Sequence, residues 1–149
     1  MAAKVDTLVL REIAVEDAEA AARLTGELGY PASAKEMAER IRAQMALRDH
    51  VIYVACVPDH GVVGWIDVQI VHHLQAPARA EIGGLVVASG ARSRGIGRQL
   101  LARAEQWAAE RGMRQVVVRS QIARERAHQF YLREGYRRTK TSAVFAKEI

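Results

Sequence analysis

Residues 81–101, EIGGLVVASGARSRGIGRQLL, join an apolar strand to a basic, glycine-rich loop. Gly83 and Gly84 interrupt the predicted strand 81–87, where glycine often marks a bulge or the close approach of another backbone. The loop leads into an amphipathic helix predicted over residues 95–111. Because the first N–H groups of a helix have no intrahelical partner and lie at its positive end, they bind phosphate readily. The stretch therefore predicts a strand, an anion-binding loop and a helix.

The loop chemistry favours a pyrophosphate. Glycine lets the backbone approach phosphate oxygens, and the flanking arginines add charge and bidentate donors. A Walker A loop is absent, and Leu100 stands where a dinucleotide GxGxxG motif needs its third glycine. The pattern that remains is R-x-x-G-x-G over residues 92–97. The candidate cofactor-binding residues of this loop are Arg92, Ser93, Arg94, Gly95, Ile96, Gly97 and Arg98.

The rest of the chain indicates an α/β fold. Strands are predicted over residues 5–13, 50–57, 62–71, 81–87 and 115–119, with two short ones near 136–138 and 142–146. Helices are predicted over residues 15–28, 95–111 and 123–134, and a further one begins at a capping box of Ser33 and Glu36. Residues 58–61 form a turn and residues 72–78 a loop. Because hairpins precede one β-α-β crossover, we expect a mixed, mostly antiparallel sheet flanked by about four helices.

Length and composition suit one domain over residues 1–149. No apolar run approaches the roughly 20 residues of a membrane span, so no membrane partner is expected. The lone cysteine, Cys56, and the absence of a secretory signal pattern favour a cytoplasmic protein. The net charge is +5, but few aromatic residues lie among the basic ones, which favours a local anion site over nucleic-acid binding. No residues have metal-ligand spacing, so no metal is expected.

In its setting between strand and helix, the 92–97 motif resembles the [Q/R]-x-x-G-x-[G/A] signature of the GCN5-related N-acetyltransferase (GNAT) superfamily. Residues 120–136, SQIARERAHQFYLREGY, resemble the second motif of that family, A-x-x-FY-x-x-x-G[FY]. The matching positions are Ala127, Phe130, Tyr131, Gly135 and Tyr136. The resemblance covers roughly residues 50–147. Gln121 departs from it, since many relatives carry asparagine there.

The resemblance implies an acetyl-CoA-dependent N-acetyltransferase that transfers the acetyl group directly within a ternary complex. A bulge at the two glycines would separate two parallel strands, and the pantetheine arm of acetyl-CoA would lie in that opening. The backbone of Leu85, Val86 and Val87 would pair with the arm, and Gln121 would contribute an amide. A homodimer through the C-terminal strands is common among such proteins.

Acetyl transfer to an amine needs a base, donors for the carbonyl oxygen and an acid for the leaving thiolate. Tyr131 is the predicted acid, and its phenol is also expected to contact the cofactor. Glu81 is the first candidate for the base, since the resemblance implies a glutamate at this spacing that acts through water. Asp67 is the second candidate and a candidate substrate-binding residue. Tyr30, in the turn after the first helix, is expected to line the acceptor pocket.

The sequence does not name the acceptor. A primary amine of a small molecule is expected first, and a protein amine is the alternative within the same activity. A different class is a CoA-binding or regulatory domain of the same fold that does not turn over. A third, binding of nucleic acid through the basic surface, would show a strong dependence of affinity on salt.

Overall fold

The computed structural model describes residues 7–149, and among these five strands form one sheet in the order β1-β2-β3-β4-β5. The strands are β1 (Val9–Glu12), β2 (His50–Val57), β3 (Gly61–His73), β4 (Ala76–Val87) and β5 (Val116–Val118). The helices are α1 (Ala18–Leu28), α2 (Ala34–Met45), α3 (Ile96–Glu110) and α4 (Glu125–Arg133), with short 3-10 turns at Val15–Asp17 and Ser89–Ala91. In the described part of the chain, no helix is both long and apolar enough to cross a membrane.

The sheet is mixed, as predicted. The pairs β1–β2, β2–β3 and β3–β4 are antiparallel, and β4 pairs with β5 in parallel after the crossover through α3. The predicted loop over residues 72–78 is wrong. His73 pairs with Ala76 across a tight turn, so the β3–β4 ladder continues almost to its tip.

The two glycines of β4 lie at a bulge. Asp67 pairs with Gly84 and Val68 pairs with Ile82, which leaves Gly83 as an extra residue in β4. The parallel pairing of β4 with β5 covers only Ala80–Ile82, whereas β4 continues to Val87. The two parallel strands therefore separate beside the bulge, where the sequence places the opening for the cofactor arm.

The two faces of the sheet pack against different helices. On one face, α1 and α2 pack through Leu24 and Ile41 against Val54 and Val86. On the other face α3 is buried along the apolar positions Ile96, Leu100, Leu101, Ala104, Trp107 and Ala108. Because alternate strand residues point to opposite faces, the bulge decides which β4 side chains look toward α1 and α2.

Local interactions fix the helices that border the first face. The predicted capping box is confirmed: Ser33 and Glu36 exchange side-chain to backbone hydrogen bonds of 2.9 and 3.0 Å at the start of α2. Before α1, the Arg11 guanidinium binds both carboxylate oxygens of Asp17 at 2.8 and 2.9 Å. That contact, together with the Ala14 N–H, holds the pKa of Asp17 below its usual range. These contacts set where α1 and α2 begin.

The chain divides into two compact units, one ending at Arg119 and the other comprising Ser120–Ile149. The second unit contains α4, which ends before Gly135, a residue of φ +92°. The two short strands predicted near residues 136–138 and 142–146 are wrong, since this segment forms neither helix nor strand. A strand needs a hydrogen-bonded neighbour, and Val144 and Phe145 are 88 and 93% exposed. The alternating residue pattern is suitable for a strand but does not show whether a partner strand is present.

Candidate active site

A cavity of about 140 Å³ lies between the sheet and the helices α1 and α2. The strands contribute Ile52, Trp65 and Asp67. The other lining residues are Ile13, Ala21, Thr25, Met37, Arg40, Ile41 and Gln44. Most of the wall is apolar, and a few polar groups reach it, which is the usual composition of a small-molecule site.

Two of the polar groups on this wall lack a hydrogen-bond partner among the described residues. The Oε1 atom of Gln44 and the Nε1 atom of Trp65 are both buried and unpaired. A buried polar atom without a partner is costly, by about 1–3 kcal/mol. Sequence reasoning missed Gln44 and Trp65, because neither belongs to a motif.

Asp67 lies where the cavity meets the bulge. Its Oδ1 atom is 3.0 Å from Nε2 of His50, and the side chains are 20 and 9% exposed. A methyl group at Gly83 would lie 2.8 and 2.9 Å from the two carboxylate oxygens of Asp67. Glycine is therefore required at position 83 for this carboxylate to lie across β4. Sequence reasoning found Asp67 and both glycines but missed His50, which lies 17 residues earlier and meets Asp67 only through the β2–β3 pairing.

Trp65 packs in a similar way against Gly84, the second glycine of the bulge. A methyl group at Gly84 would lie 2.8 Å from an atom of the Trp65 ring. Trp65 and Asp67 are two residues apart on β3, so both side chains look toward α1 and α2. The two glycines thus have a second role besides bending the strand: they leave room for these two side chains.

Glu81 shares this face of the sheet, since it pairs with Gln69, which follows Asp67 by two residues. Its Oε1 atom accepts a hydrogen bond of 2.6 Å from Nε of Arg119 at the end of β5. Glu81 is not among the residues that line the cavity. Glu81, the first candidate for the base, is therefore paired with the positively charged Arg119, whereas Asp67 reaches the cavity directly.

The loop before α3 presents mostly backbone. Ser93 and Gly95 have φ of +67° and +77°, and Gly95 caps α3 without a side-chain hydrogen bond. No acidic residue lies in the first turn of α3, so its N–H groups face no competing carboxylate from that turn. Arg92, Ser93, Arg94, Gly95 and Arg98 are exposed, Gly97 is half-buried, and Ile96 is buried in the core. The arrangement suits an anion.

The end of β4 is tied to its neighbours. The Arg92 guanidinium donates to the carbonyl of Val87 at 3.2 Å, and Ser89 N–H donates to Glu27 of α1 at 3.0 Å. Leu85 and Val87 are half-buried and Val86 is buried. This strand end therefore connects the basic loop to the cavity wall formed by α1.

In the second unit, Tyr131 lies on α4 among aromatic rings. It makes edge-to-face contacts with Phe130 and Tyr136, with ring centroids 5.2 and 5.7 Å apart. Burial raises the pKa of the Tyr131 phenol above its ordinary value of 10.0, and the positive charge of Arg124 opposes that rise. The phenol is therefore protonated near neutral pH. Gln121 is exposed, and its main-chain carbonyl oxygen lies 2.9 Å from Nε2 of His128.

Two further predictions concern Tyr30 and metals. Tyr30 is 55% exposed in the turn after α1 and is not among the cavity-lining residues. Within residues 7–149, no three His, Cys, Asp or Glu side chains are grouped to hold a metal ion. The expectation that no metal is needed stays a prediction.

The chain is similar in sequence to a known family and to two enzymes. The model of the Acetyltransferase (GNAT) family matches residues 11–136. The aminoalkylphosphonate N-acetyltransferase of Salmonella typhimurium is 37% identical over 117 residues, covering 78% of this chain and 73% of the relative. The aminoglycoside N(6')-acetyltransferase type 1 of Stenotrophomonas maltophilia is 26% identical over 140 residues, covering 91 and 90%.

The fold is also that of a solved enzyme. An aminoglycoside N-acetyltransferase in complex with CoA superposes with a TM-score of 0.81 at 18% identity, covering 95% of both chains. At that identity the likeness concerns the fold alone. The family match spans most of this chain, from β1 to the residue after Gly135. On these grounds the chain belongs to the GNAT family and is an N-acetyltransferase.

Proposed function

We propose that this protein transfers the acetyl group of acetyl-CoA directly to the primary amine of a small molecule within a ternary complex. The observation that carries the proposal is the cavity lined by Asp67, beside a bulge where β4 and β5 separate. Such an opening lets a thioester reach a carboxylate-bearing pocket through the sheet. The backbone of Leu85, Val86 and Val87 borders that opening on β4.

The loop over residues 92–98 is the proposed site for the diphosphate of CoA. Support comes from its exposed arginines, the left-handed backbone at Ser93 and Gly95, and the uncapped start of α3. The solved relative in complex with CoA supports CoA as the carrier. Gln121 is proposed to contact the cofactor through its amide.

Asp67 and Glu81 are the two candidates for the group that removes the amine proton. The acceptor ammonium first loses a proton to the base, which frees the nitrogen lone pair to attack the thioester carbon. The C–S bond then breaks, the thiolate leaves, and the nitrogen loses its second proton to solvent. Asp67 is favoured, because its carboxylate lines the cavity, whereas Glu81 is bound by Arg119 and lies outside the lining. The N–H of Val87 is proposed to receive the developing negative charge on the carbonyl oxygen.

Tyr131 is the proposed acid that protonates the departing thiolate of CoA. Burial raises the pKa of this phenol, so it holds the proton that the sulfur would receive. We expect Tyr131→Phe to lower kcat by about 10²- to 10⁴-fold while acetyl-CoA still binds. Phe130→Leu, next to it on α4, is the control for packing. A Tyr131→Phe enzyme with unchanged turnover would remove this residue from the mechanism.

The decisive experiment measures thiol release from acetyl-CoA over a panel of amines. The named activities of the two relatives support amines of two kinds, aminoalkylphosphonates and aminoglycosides. Thiol release with one of them establishes the proposal. Release only with lysine peptides favours a protein acceptor, and CoA binding without release from any amine favours a domain that does not turn over.

A homodimer and a cytoplasmic location are further proposals. The exposed apolar residues Val144 and Phe145 support a dimer, because a strand from a second copy would give this segment the neighbour it lacks. Tyr30 is proposed to border the entrance used by the acceptor. No partner among nucleic acids or membranes is proposed.

A further inference from the structure

The polar groups of the cavity carry two opposite charges that do not pair with each other. Asp67 is hydrogen-bonded to His50, and Arg40 makes none of the hydrogen bonds or ion pairs found among the described residues. The charge known to act on Arg40 is that of Glu36, one helical turn earlier on α2. A cavity with a carboxylate and a guanidinium that are not joined has room for a molecule that contacts both.

The other polar groups of the wall do not add to this division of charge. The Oε1 atom of Gln44 and the Nε1 atom of Trp65 are unpaired, but they are buried and present no surface that a ligand could contact. The two charged groups that a ligand can reach are therefore Asp67 and the exposed Arg40.

We propose that the acceptor is a small zwitterionic amine, whose ammonium binds Asp67 and whose negatively charged oxygens bind Arg40. The inference rests on the proposed function and names its substrate class. Carboxylate, sulfonate and phosphonate groups share the required charged oxygens, and Arg40 can bind each of them through two parallel N–H donors.

Size and charge both argue against a larger polycation. The cavity of about 140 Å³ is smaller than the roughly 300–1,000 Å³ that drug-sized ligands occupy. Arg40 would repel an amine that carries several positive charges. The apolar wall, which includes Ile41 and Ile52, suits the short carbon chain between the two ends of an aminoalkyl acid.

The test compares matched acceptors in the acetyl-CoA thiol-release assay. The acids are 2-aminoethylphosphonate, taurine and β-alanine, and their ranking assigns the preferred oxyacid. Propylamine, which carries the ammonium but no acid group, is the monocationic match, and kanamycin is the polycation. We expect kcat/KM for the best acid to exceed that for propylamine by about tenfold or more. One hydrogen-bonded contact to a charged group contributes enough free energy for a ratio of that size.

Variants of α2 test whether Arg40 binds the acid group of the acceptor. Arg40→Gln should raise KM for the best acid by about tenfold or more, should not raise KM for propylamine, and should leave the acetyl-CoA KM near its wild-type value. Arg40→Lys should restore part of the loss. Arg42→Gln, an exposed arginine on the same helix, is the matched control and should behave as wild type.

Two results would overturn the inference: propylamine or kanamycin used as well as the acids, or Arg40→Gln raising KM for all amines alike. Failure of the proposed function looks different, because no amine then releases thiol. In that case, calorimetric titration of 2-aminoethylphosphonate into the CoA-loaded protein still decides the question. Binding that is weakened in Arg40→Gln and not in Arg42→Gln supports the inference, and the absence of binding refutes it.

Discussion

The cavity beside β3 and the loop before α3 differ in which part of the chain a ligand would meet. In the cavity the polar groups are side chains, Asp67 and Trp65, which lie on glycines of the next strand. In the loop they are backbone N–H groups at a helix start, arranged by the left-handed residues Ser93 and Gly95. The cavity is sensitive to added volume, whereas the loop is sensitive to backbone conformation.

The comparison also separates two uses of glycine. At Gly83 and Gly84 a methyl group would collide with a neighbouring side chain at 2.8 Å. At Gly95 a methyl group would meet nothing within 4 Å, but φ is +77°. The same substitution, glycine to alanine, should therefore disturb different steps of the reaction at the two places.

The largest effect is expected at the carboxylate of the cavity. Asp67→Asn keeps the size of the side chain but removes its charge, so kcat/KM for the amine should fall by about 10²- to 10⁴-fold. Glu81 is already paired with Arg119 in the wild-type protein. Glu81→Gln should therefore lower kcat/KM for the amine by less than about tenfold and keep the wild-type pH–rate profile. Steady-state kinetics at saturating acetyl-CoA measure both.

Asp49→Asn is the control, since Asp49 is an exposed carboxylate just before β2. It should retain wild-type kinetics. If Glu81→Gln causes the greater loss, the base is Glu81 and Asp67 only binds the acceptor.

An intermediate effect is expected where volume is added at the bulge. In Gly83→Ala the new methyl group must displace the Asp67 carboxylate or bend β4. Overpacking of this kind costs about 1–3 kcal/mol of stability, and a displacement of about 1 Å at the reacting group costs up to about 10²-fold in rate. Thermal unfolding and the kcat/KM for the amine measure the two losses.

Gly90→Ala is the matched control, because a methyl group there meets open space. It should change neither quantity. A Gly83→Ala protein with wild-type amine kinetics would show that Asp67 does not need its observed position.

The same difference explains what the sequence could predict. The loop was found because a backbone site leaves a local pattern, here two glycines and flanking arginines within seven residues. The bulge was predicted because Gly83 and Gly84 stand out in an apolar strand. His50 and Gln44 were missed because their role comes from strand pairing and helix packing, which bring distant residues together.

The fold followed a similar rule. Element order, the capping box at Ser33 and the parallel crossover through α3 were all predicted, since each has a local or topological signal. The strands expected near residues 136–138 and 142–146 were wrong because alternation reports a suitable residue pattern but not the presence of a partner strand.

The smallest effect is expected at Gly95. Alanine in its left-handed conformation costs about 1–2 kcal/mol, with no collision to relieve. If this residue orients the first N–H groups of α3 toward the diphosphate, Gly95→Ala should raise the acetyl-CoA KM by up to about tenfold. Because the cavity is untouched, the amine KM at saturating acetyl-CoA should stay within about twofold of wild type.

Gly112, just past the other end of α3, makes this a matched comparison. Its φ is +78°, and an added methyl group would also meet nothing within 4 Å. Gly112→Ala should therefore lose as much thermal stability as Gly95→Ala and yet keep the wild-type acetyl-CoA KM. Equal changes of that KM in the two variants would mean that Gly95 acts only through the stability of α3, and the loop would lose its proposed role in binding CoA.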